Sequence, residues 1–182
     1  MELRIALLRF PSLMSADAPA SDLPALAKQI LAIAQQRDLS IVTAESCTAG
    51  KLAALLSEAP GAADRLHGAF VTYTKANKTA ALGVDARLLA RKSAVCPEVA
   101  IAMAQGALAR SPASLGVAIT GVAGPAPDED GNPVGLVCLA VARTGREPVH
   151  VERRYGGLGR EAVQERAMAD ALALLIRVAQ AD

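Results

Sequence analysis

The chain has 182 residues, of which 52% are hydrophobic, so its length and composition suit a single domain with one buried core. Aromatic residues make up only 2% and tryptophan is absent, which argues against the base-stacking platforms of proteins that bind single strands. The net charge is +1, from 19 basic and 18 acidic residues without a long basic run, and this balance argues against polymeric nucleic acid as a partner.

The cysteines and the first residues indicate the compartment. Cys47, Cys96 and Cys138 are odd in number, widely spaced and without a CxxC pair, so they predict neither a disulfide framework nor a zinc site. The opening MELRIALLRF contains only a very short apolar run, interrupted by Arg9, which is neither a signal peptide nor a membrane span. We therefore expect a cytoplasmic protein that does not bind membranes.

The first predicted boundary lies near residue 22. Residues 1–21 mix proline, serine and alanine without clear periodicity, so we interpret them as an N-terminal extension and residues 22–182 as the domain. Asp22 can cap a helix in which Leu26 and Ile30 recur at helical spacing. The elements that follow are a β-branched strand at 41–43, a turn at 45–50, and a second helix with leucines at 52, 55 and 56.

The rest of the chain repeats this alternation of strands and helices. The further predicted elements are a strand at 69–74, a helix at 75–82 closed by Gly83, a helix at 98–110, a strand at 115–120, a loop to residue 133, strands at 134–142 and 149–155, and a helix at 160–179. TGREP joins the last two strands, which favours a hairpin. This order predicts a single-domain, three-layer α/β/α fold with a mixed β-sheet and helices on both faces.

Three polar segments follow predicted strands, at 45–50, 73–78 and 120–125. In open α/β sheets the ligand crevice lies beyond the carboxyl ends of the strands, so we expect these segments to meet there. The first places Ser46 at a strand-to-helix turn, where free N–H groups and the helix dipole favour an oxyanion or a phosphate. Ser46 is therefore a candidate nucleophile. Two plainer interpretations stay open: Ser46 or Thr48 caps the helix, and Cys47, a rival nucleophile, is a buried apolar residue.

A serine nucleophile needs a base. Of the two histidines, His67 and His150, neither has a recognisable Ser/His/Asp context. The remaining pairing is Ser/Lys, which requires a lysine whose pKa lies well below about 10.4. Lys75 and Lys78 are three residues apart on a predicted helix, so their charges would repel each other and burial would add to the effect. The alternative is that both are solvated lysines with ordinary pKa values.

The loop after the third polar segment carries weaker signals. The glycines of TGVAGP allow a ligand to approach the backbone, but the pattern is neither GxxxxGK[ST] nor GxGxxG. Asp128, Glu129 and Asp130 lie in a Pro/Gly-rich loop, where acidic residues are usually solvated rather than bound to a metal. We therefore predict no metal and no cofactor.

Five motifs occur in a fixed order along the chain: TAESCTAG, FVTYTKANK, ALGV, ITGVAGP and PVGLV. Together they closely resemble the C-terminal domain of the competence/damage-inducible CinA proteins, a domain that also exists as a stand-alone nicotinamide-nucleotide amidase. The resemblance extends from about Leu26 to Ala179, and several ordered motifs are far more specific than any one of them. No part of the chain looks like the molybdopterin-binding domain that precedes this module in longer relatives.

The resemblance implies a Ser/Lys amidohydrolase that converts nicotinamide mononucleotide (NMN) to nicotinate mononucleotide and ammonia. Ser46 matches the family's nucleophile, and Lys78 matches the lysine that we take as the general base. Tyr73 matches the tyrosine of the same motif and would orient this dyad or relay a proton. The residues expected to contact the substrate are Glu45, Cys47, Thr48, Ala49, Gly50, Thr120, Gly121 and Arg160. The guanidinium of Arg160 suits a phosphate or a developing anion.

The chain departs from the family pattern at three places. Ala49-Gly50 replaces a glycine pair, Cys96 replaces a serine, and Leu158-Gly159 stands before Arg160 where the family has a GDR-like motif. Ala49 is expected to narrow the anion site, and the aspartate of the GDR-like motif is absent. Two other functions therefore stay open. One is an inactive module that binds a nucleotide or a partner, and the other is an amidase for a related small amide. The small size and apolar composition make a homodimer the expected assembly.

Overall fold

The computed structural model describes residues 22–181, so the predicted extension over 1–21 lies outside the described residues. The strands are β1 (Ile41–Glu45), β2 (Leu66–Val71), β3 (Leu115–Gly121), β4 (Leu136–Arg143) and β5 (Val149–Arg154). The helices are α1 (Leu23–Gln36), α2 (Lys51–Ser57), α3 (Ala62–Arg65), α4 (Lys75–Leu82), α5 (Ala86–Lys92), α6 (Pro97–Ala109) and α7 (Arg160–Gln180). None of these helices is long and apolar enough to cross a membrane.

The five strands form one mixed sheet in the order β2-β1-β3-β4-β5. β1 runs parallel to both β2 and β3, whereas β4 is antiparallel to β3 and to β5. The predicted mixed sheet and the predicted terminal hairpin are therefore confirmed. Because β1, β2 and β3 are parallel and adjacent, their carboxyl ends meet at one edge of the sheet.

Helices cover both faces of the sheet, as predicted. Successive side chains of a strand point to opposite faces, so Ile41 belongs to one core and Val42 to the other. The first core contains buried residues of α1, α2 and α7, and the second contains buried residues of α4, α5 and α6. The result is the three-layer α/β/α arrangement that the alternation of elements predicts.

Glycine residues allow α6 to pack closely against the sheet and against α4. Gly116 of β3 faces α6, and a Cβ atom there would lie 2.5 Å from the carbonyl oxygen of Ala104. Gly106 of α6 in turn faces the carbonyl of Leu82, at the end of α4, and leaves no room for a Cβ atom. Glycine on α6 thus allows α4, which carries Lys78, to pack directly over that helix.

The main difference from the predicted elements concerns the end of β2. The predicted strand at 69–74 begins at Leu66 and ends at Val71. Thr72 still donates its N–H to the carbonyl of Glu45, over 2.8 Å, but Thr74 leaves the sheet and caps α4 by accepting the N–H of Asn77. A threonine with high strand propensity serves here as a helix cap, because the turn into α4 needs an acceptor for its orphan N–H groups.

Candidate active site

The carboxyl ends of β1, β2 and β3 open onto a cleft of about 350 Å³. The site residues predicted from the sequence that line this cleft are Ser46, Cys47, Tyr73, Lys78, Thr120, Gly121 and Arg160. All three polar segments therefore contribute to one site, as does the first residue of α7. The remaining predicted contacts, Glu45, Thr48, Ala49 and Gly50, lie outside the lining of the cleft.

Ser46 and Lys78 contact each other at the base of this cleft. Ser46 Oγ lies 2.8 Å from Lys78 Nζ, and the same nitrogen donates to the carbonyl of Thr72 over 2.7 Å. Ser46 follows β1 and is held by an N–H bond to the carbonyl of Ile119 on β3, whereas Lys78 lies on α4. Side chains from two different elements thus meet in a geometry suited to proton transfer.

Lys78 is almost completely buried, with 1% of its surface exposed, and burial lowers its pKa to about 8. A neutral amine has two N–H donors and one lone pair. The Thr72 carbonyl can only accept, so it takes one donor, while the Ser46 hydroxyl can donate to the lone pair. The two observed partners therefore suit a neutral lysine that is ready to accept the serine proton.

Of the two causes predicted for a lowered pKa, burial is confirmed, whereas charge repulsion from Lys75 is wrong. Lys75 turns away from Lys78 and forms ion pairs with Glu129, at 3.0 Å, and with Asp130, at 2.6 Å. These carboxylates raise the pKa of Lys75. The expectation that the acidic loop is merely solvated is also wrong for Asp130, which accepts from Lys75 and from the N–H of Ala94 and so ties the loop to the rim of the cleft.

Burial disfavours Cys47 as the rival nucleophile. Its side chain is buried, and burial raises the pKa of its thiol to about 12. The reactive form of cysteine is the thiolate, which is scarce at neutral pH when the pKa is this high. The plainer interpretation of Cys47, as a buried apolar residue, therefore holds.

Glu45 anchors the turn from beneath instead of facing the substrate. Its fully buried carboxylate accepts from the hydroxyls of Thr43 and Thr48 and from the N–H groups of Gly50, Leu52 and Ala53. The N–H groups of Leu52 and Ala53 are the ones that a capping serine or threonine would otherwise satisfy. Ser46 is therefore not the cap of α2, and its hydroxyl is left for Lys78.

The turn leaves one N–H group within reach of a ligand. Ala49 donates to the carbonyl of Ser46, and the N–H of Gly50 is taken by Glu45. Within residues 22–181, neither Cys47 nor Thr48 donates its backbone N–H to another residue, but Thr48 has no exposed surface and lies outside the lining of the cleft. An oxyanion formed next to Ser46 would find the N–H of Cys47 unoccupied.

The turn adopts left-handed backbone conformations at Ala49, with φ of 53°, and at Gly50, with φ of 92°. Ala49 is exposed and lies outside the cleft, so the expectation that it narrows the anion site is wrong. The replacement of glycine at this position instead places a Cβ atom in a conformation that glycine adopts more easily.

The other predicted residues differ in what they contact. Tyr73 lines the cleft with 60% of its surface exposed, and its hydroxyl has no hydrogen-bond partner in the described part of the chain. Thr120 donates its hydroxyl to the carbonyl of Ala94, 2.8 Å away. Gly121 is required by packing, because a Cβ atom there would lie 2.7 Å from Val137. The hydroxyl of Tyr73 and the exposed guanidinium of Arg160 remain the polar groups of this set that a ligand could reach.

Arg160 is the first residue of α7 and donates to the carbonyl of Gly124, in the loop after β3. The guanidinium therefore links the loop to a helix N-terminus at the rim of the cleft. A helix N-terminus and an arginine both favour an anion.

Gln164 is a site residue that sequence reasoning missed. It lies on α7 with 4% of its surface exposed, and its Nε2 donates to the carbonyl of Cys47 over 2.7 Å. Its Oε1 accepts from Lys51 Nζ, also over 2.7 Å. The available signal was a polar residue next to Val163, on the inward side of a predicted amphipathic helix.

Comparison with known proteins places this fold and these motifs in one family. The CinA C-terminal domain matches residues 23–179. A CinA-like protein of Mycolicibacterium vanbaalenii is 49% identical over 138 residues, which is 76% of this chain and 32% of that protein. A CinA-like protein of a Synechococcus species is 40% identical over 157 residues, which is 85% of this chain and 37% of that protein. The chain thus spans about a third of the length of these curated relatives.

Solved structures agree over most of the chain. A competence/damage inducible protein from Agrobacterium tumefaciens has a TM-score of 0.84 at 36% identity, covering 94% of this chain and 100% of that one. A CinA superfamily protein from Klebsiella pneumoniae has a TM-score of 0.82 at 33% identity, covering 87% of this chain and 98% of that one. The chain therefore belongs to the CinA family, and residues 23–179 form its C-terminal domain.

Proposed function

We propose that this chain is an amidase that converts NMN to nicotinate mononucleotide and ammonia, with Ser46 as nucleophile and Lys78 as general base. The observation that carries the chemistry is the 2.8 Å contact between Ser46 Oγ and the nitrogen of a buried lysine. The choice of substrate rests on the family resemblance of the ordered motifs. The size of the cleft, about 350 Å³, suits a small nucleotide and lies near the lower end for ligand pockets, about 300–1,000 Å³.

The reaction begins when neutral Lys78 takes the proton of Ser46 and the serine oxygen attacks the carboxamide carbon. The carbonyl oxygen becomes an oxyanion, for which the unoccupied N–H group of Cys47 is the proposed donor. Lys78, now an ammonium, returns its proton to the amide nitrogen as the C–N bond breaks. Ammonia leaves, and an ester joins Ser46 to the nicotinoyl group.

The second half of the reaction repeats these steps with water. Lys78 takes a proton from a water molecule, the resulting hydroxide attacks the ester, and the lysine returns the proton to Ser46 Oγ as nicotinate mononucleotide leaves. The pyridinium charge of NMN makes the carboxamide carbon more electrophilic, so this scheme needs no metal ion. Arg160 and the N-terminus of α7 are the groups proposed to hold the phosphate.

The test is ammonia release from NMN, measured with a metal chelator present. We expect Ser46→Ala and Lys78→Met each to lower kcat by about 1,000-fold or more, because removing one member of a nucleophile–base pair disables the whole unit. Lys28→Met, which changes an exposed lysine of α1, is the matched control and should keep full activity. Retention of near-wild-type kcat by folded Ser46→Ala and Lys78→Met would show that the dyad is misassigned.

The two alternative functions give different results in the same assay. An amidase for a related small amide would hydrolyse free nicotinamide with a kcat/KM similar to that for NMN. An inactive module would bind NMN without releasing ammonia at any pH between 6 and 10. The position of Ala49 outside the cleft removes one of the two reasons for expecting inactivity.

A further inference from the structure

Ser46 lies between two sides of the cleft that come from neighbouring strands. In the sheet β1 is flanked by β2 and β3, so the end of β1, where Ser46 stands, is flanked by the ends of those two strands. Tyr73 follows β2, and Thr120 lies at the end of β3. A group that reaches Ser46 therefore enters between the Tyr73 side and the Thr120 side of the cleft.

On the Thr120 side the wall includes Ala94, in the segment between α5 and α6. Ala94 is partly exposed and lines the cleft. Its carbonyl accepts the hydroxyl of Thr120 over 2.8 Å, and its N–H donates to the carboxylate of Asp130 over 3.3 Å. Both backbone polar groups are thus occupied within the protein, so the contact that Ala94 offers to a ligand is apolar.

The segment that carries Ala94 is held in a strained conformation. Ser93 has φ of 80° and ψ of 168°, a region that residues other than glycine rarely adopt. Its hydroxyl oxygen accepts from Asn132 Nδ2 over 2.8 Å and from the N–H of Val95 over 3.0 Å. Strained residues persist only where the surrounding contacts fix them, and they cluster at ligand sites. Contacts from distant parts of the chain, rather than local preference, therefore set the position of Ala94.

The rest of this wall is small and apolar as well. Its other apolar lining residues, from the same segment and from the loop after β3, are Val95, Val122, Ala123 and Ala126. Ala94 also packs against the second core, where side chains leave little space, so a larger side chain at this position has room only on the side of the cleft. A planar ring can lie against this wall as long as residue 94 stays small.

We propose that Ala94 is a specificity-determining residue, whose small side chain leaves room beside Ser46 for a planar ring that carries the amide. The proposal deepens the proposed function, because it assigns the substrate to the class of amides attached directly to an aromatic ring. It rests on the proposed role of Ser46 as nucleophile, but not on the nucleotide part of the substrate.

The decisive variant is Ala94→Leu, which enlarges the side chain at the wall without adding a charge or a hydrogen-bonding group. We expect kcat/KM for NMN to fall at least about tenfold, since a single methylene group in an apolar pocket changes kcat/KM by about 10- to 200-fold. The matched control is Ala25→Leu, at an exposed position of α1, which should keep full activity.

Two sulfonyl fluorides provide a readout that depends on the ring but not on NMN. With both reagents the oxygen of Ser46 bonds to sulfur, fluoride leaves, and Lys78 takes the serine proton. Benzenesulfonyl fluoride carries a ring on its reacting sulfur, whereas methanesulfonyl fluoride carries a methyl group. In Ala94→Leu the first should modify Ser46 at least about tenfold more slowly than in wild type, and the rate of the second should change less than about threefold. Damage to the dyad would slow both reagents equally.

The ratio of the two labelling rates separates the role of Ala94 from the choice of substrate. If wild-type protein is labelled but releases no ammonia from NMN, the proposed substrate is wrong and the ratio still decides the role of Ala94. The same ratio in wild-type and folded Ala94→Leu protein, or no labelling of wild-type Ser46, would overturn the inference. Should Ala94→Leu not fold, Ala94→Val decides it: benzenesulfonyl fluoride should become about three- to tenfold slower relative to methanesulfonyl fluoride, and an unchanged ratio overturns it.

Discussion

The buried lysine of the candidate dyad should make the stability of the fold depend on pH. Burial lowers the pKa of Lys78 to about 8 in the folded protein. In the unfolded chain the side chain is hydrated and regains its ordinary pKa of about 10.4. Between these two values the unfolded chain binds more protons than the folded one, so the free energy of unfolding rises with pH across this window. Below about pH 8, burial of Lys78 destabilises the fold by the full amount that the difference in pKa allows.

The size of the effect follows from the gap between the two pKa values. At about 1.4 kcal/mol for each pKa unit, the gap corresponds to about 3 kcal/mol in total. Lys78 is only 1% exposed, so screening by solvent reduces this value little. Between pH 7 and 9.5, we expect the free energy of unfolding to rise by about 2 kcal/mol as this destabilisation is lost, and the rest of it is lost above pH 9.5.

Urea unfolding of the wild-type protein and of Lys78→Met, at pH 7 and at pH 9.5, measures this quantity. All other groups titrate alike in the two proteins, so the change in their difference with pH isolates Lys78. From pH 7 to 9.5 we expect the free energy of unfolding of the wild type to rise by about 2 kcal/mol more than that of Lys78→Met. Lys28→Met keeps Lys78, so the wild type should show no such gain relative to Lys28→Met. A difference that is the same at both pH values would mean that Lys78 stays protonated in the fold, and the base assignment would fail with it.

Three further predictions concern the same turn and dyad. Since the base must be neutral, kcat/KM should rise about fivefold from pH 7 to 8 and level off above pH 9, whereas a lysine with its ordinary pKa would give about tenfold per pH unit throughout. Ala49→Gly should raise the free energy of unfolding by about 0.5–1 kcal/mol, because glycine relieves the left-handed backbone, and a less stable variant in thermal unfolding would contradict this. Thr72→Val should raise it by about 1 kcal/mol, since the buried hydroxyl of Thr72 has no hydrogen-bond partner among residues 22–181, and a loss of stability in urea would contradict this.

Most of the fold follows from patterns that are local in the sequence. The spacing and composition of the apolar residues predict α1, α2, α4, α6 and α7, and the apolar runs predict four of the five strands to within a few residues. The prediction was poorest for β2, because Thr72 to Thr74 have high strand propensity and the decision between strand and cap depends on a bond to Asn77. The short helices α3 and α5 were missed, because neither has the apolar spacing that leucines at 52, 55 and 56 give to the equally short α2.

Some features of the candidate site can likewise be predicted from local sequence, whereas others depend on residues far apart in the chain. The turn around Ser46 and the position of Lys78 on a helix can be predicted from local sequence. That the two residues form a pair is implied by the resemblance of the ordered motifs to the CinA family. Burial of Lys78 was named as one cause of its lowered pKa, but the absence of repulsion from Lys75 could not be predicted, because Lys75 pairs with Asp130, 55 residues away. Gln164 reaches the turn across 117 residues, a distance over which sequence spacing carries no information.

A serine at a strand-to-helix turn normally has two competing uses, capping the helix or reacting with a ligand. In this protein the carboxylate of Glu45 accepts from five groups beneath the turn and so takes over the capping. The Ser46 hydroxyl can then face Lys78, and the N–H group of Cys47 stays unoccupied. Because Glu45 performs this task from within the core, its replacement by glutamine should affect both the stability of α2 and the reactivity of Ser46. The buried carboxylate is thus the link between the stability of the turn and its chemistry.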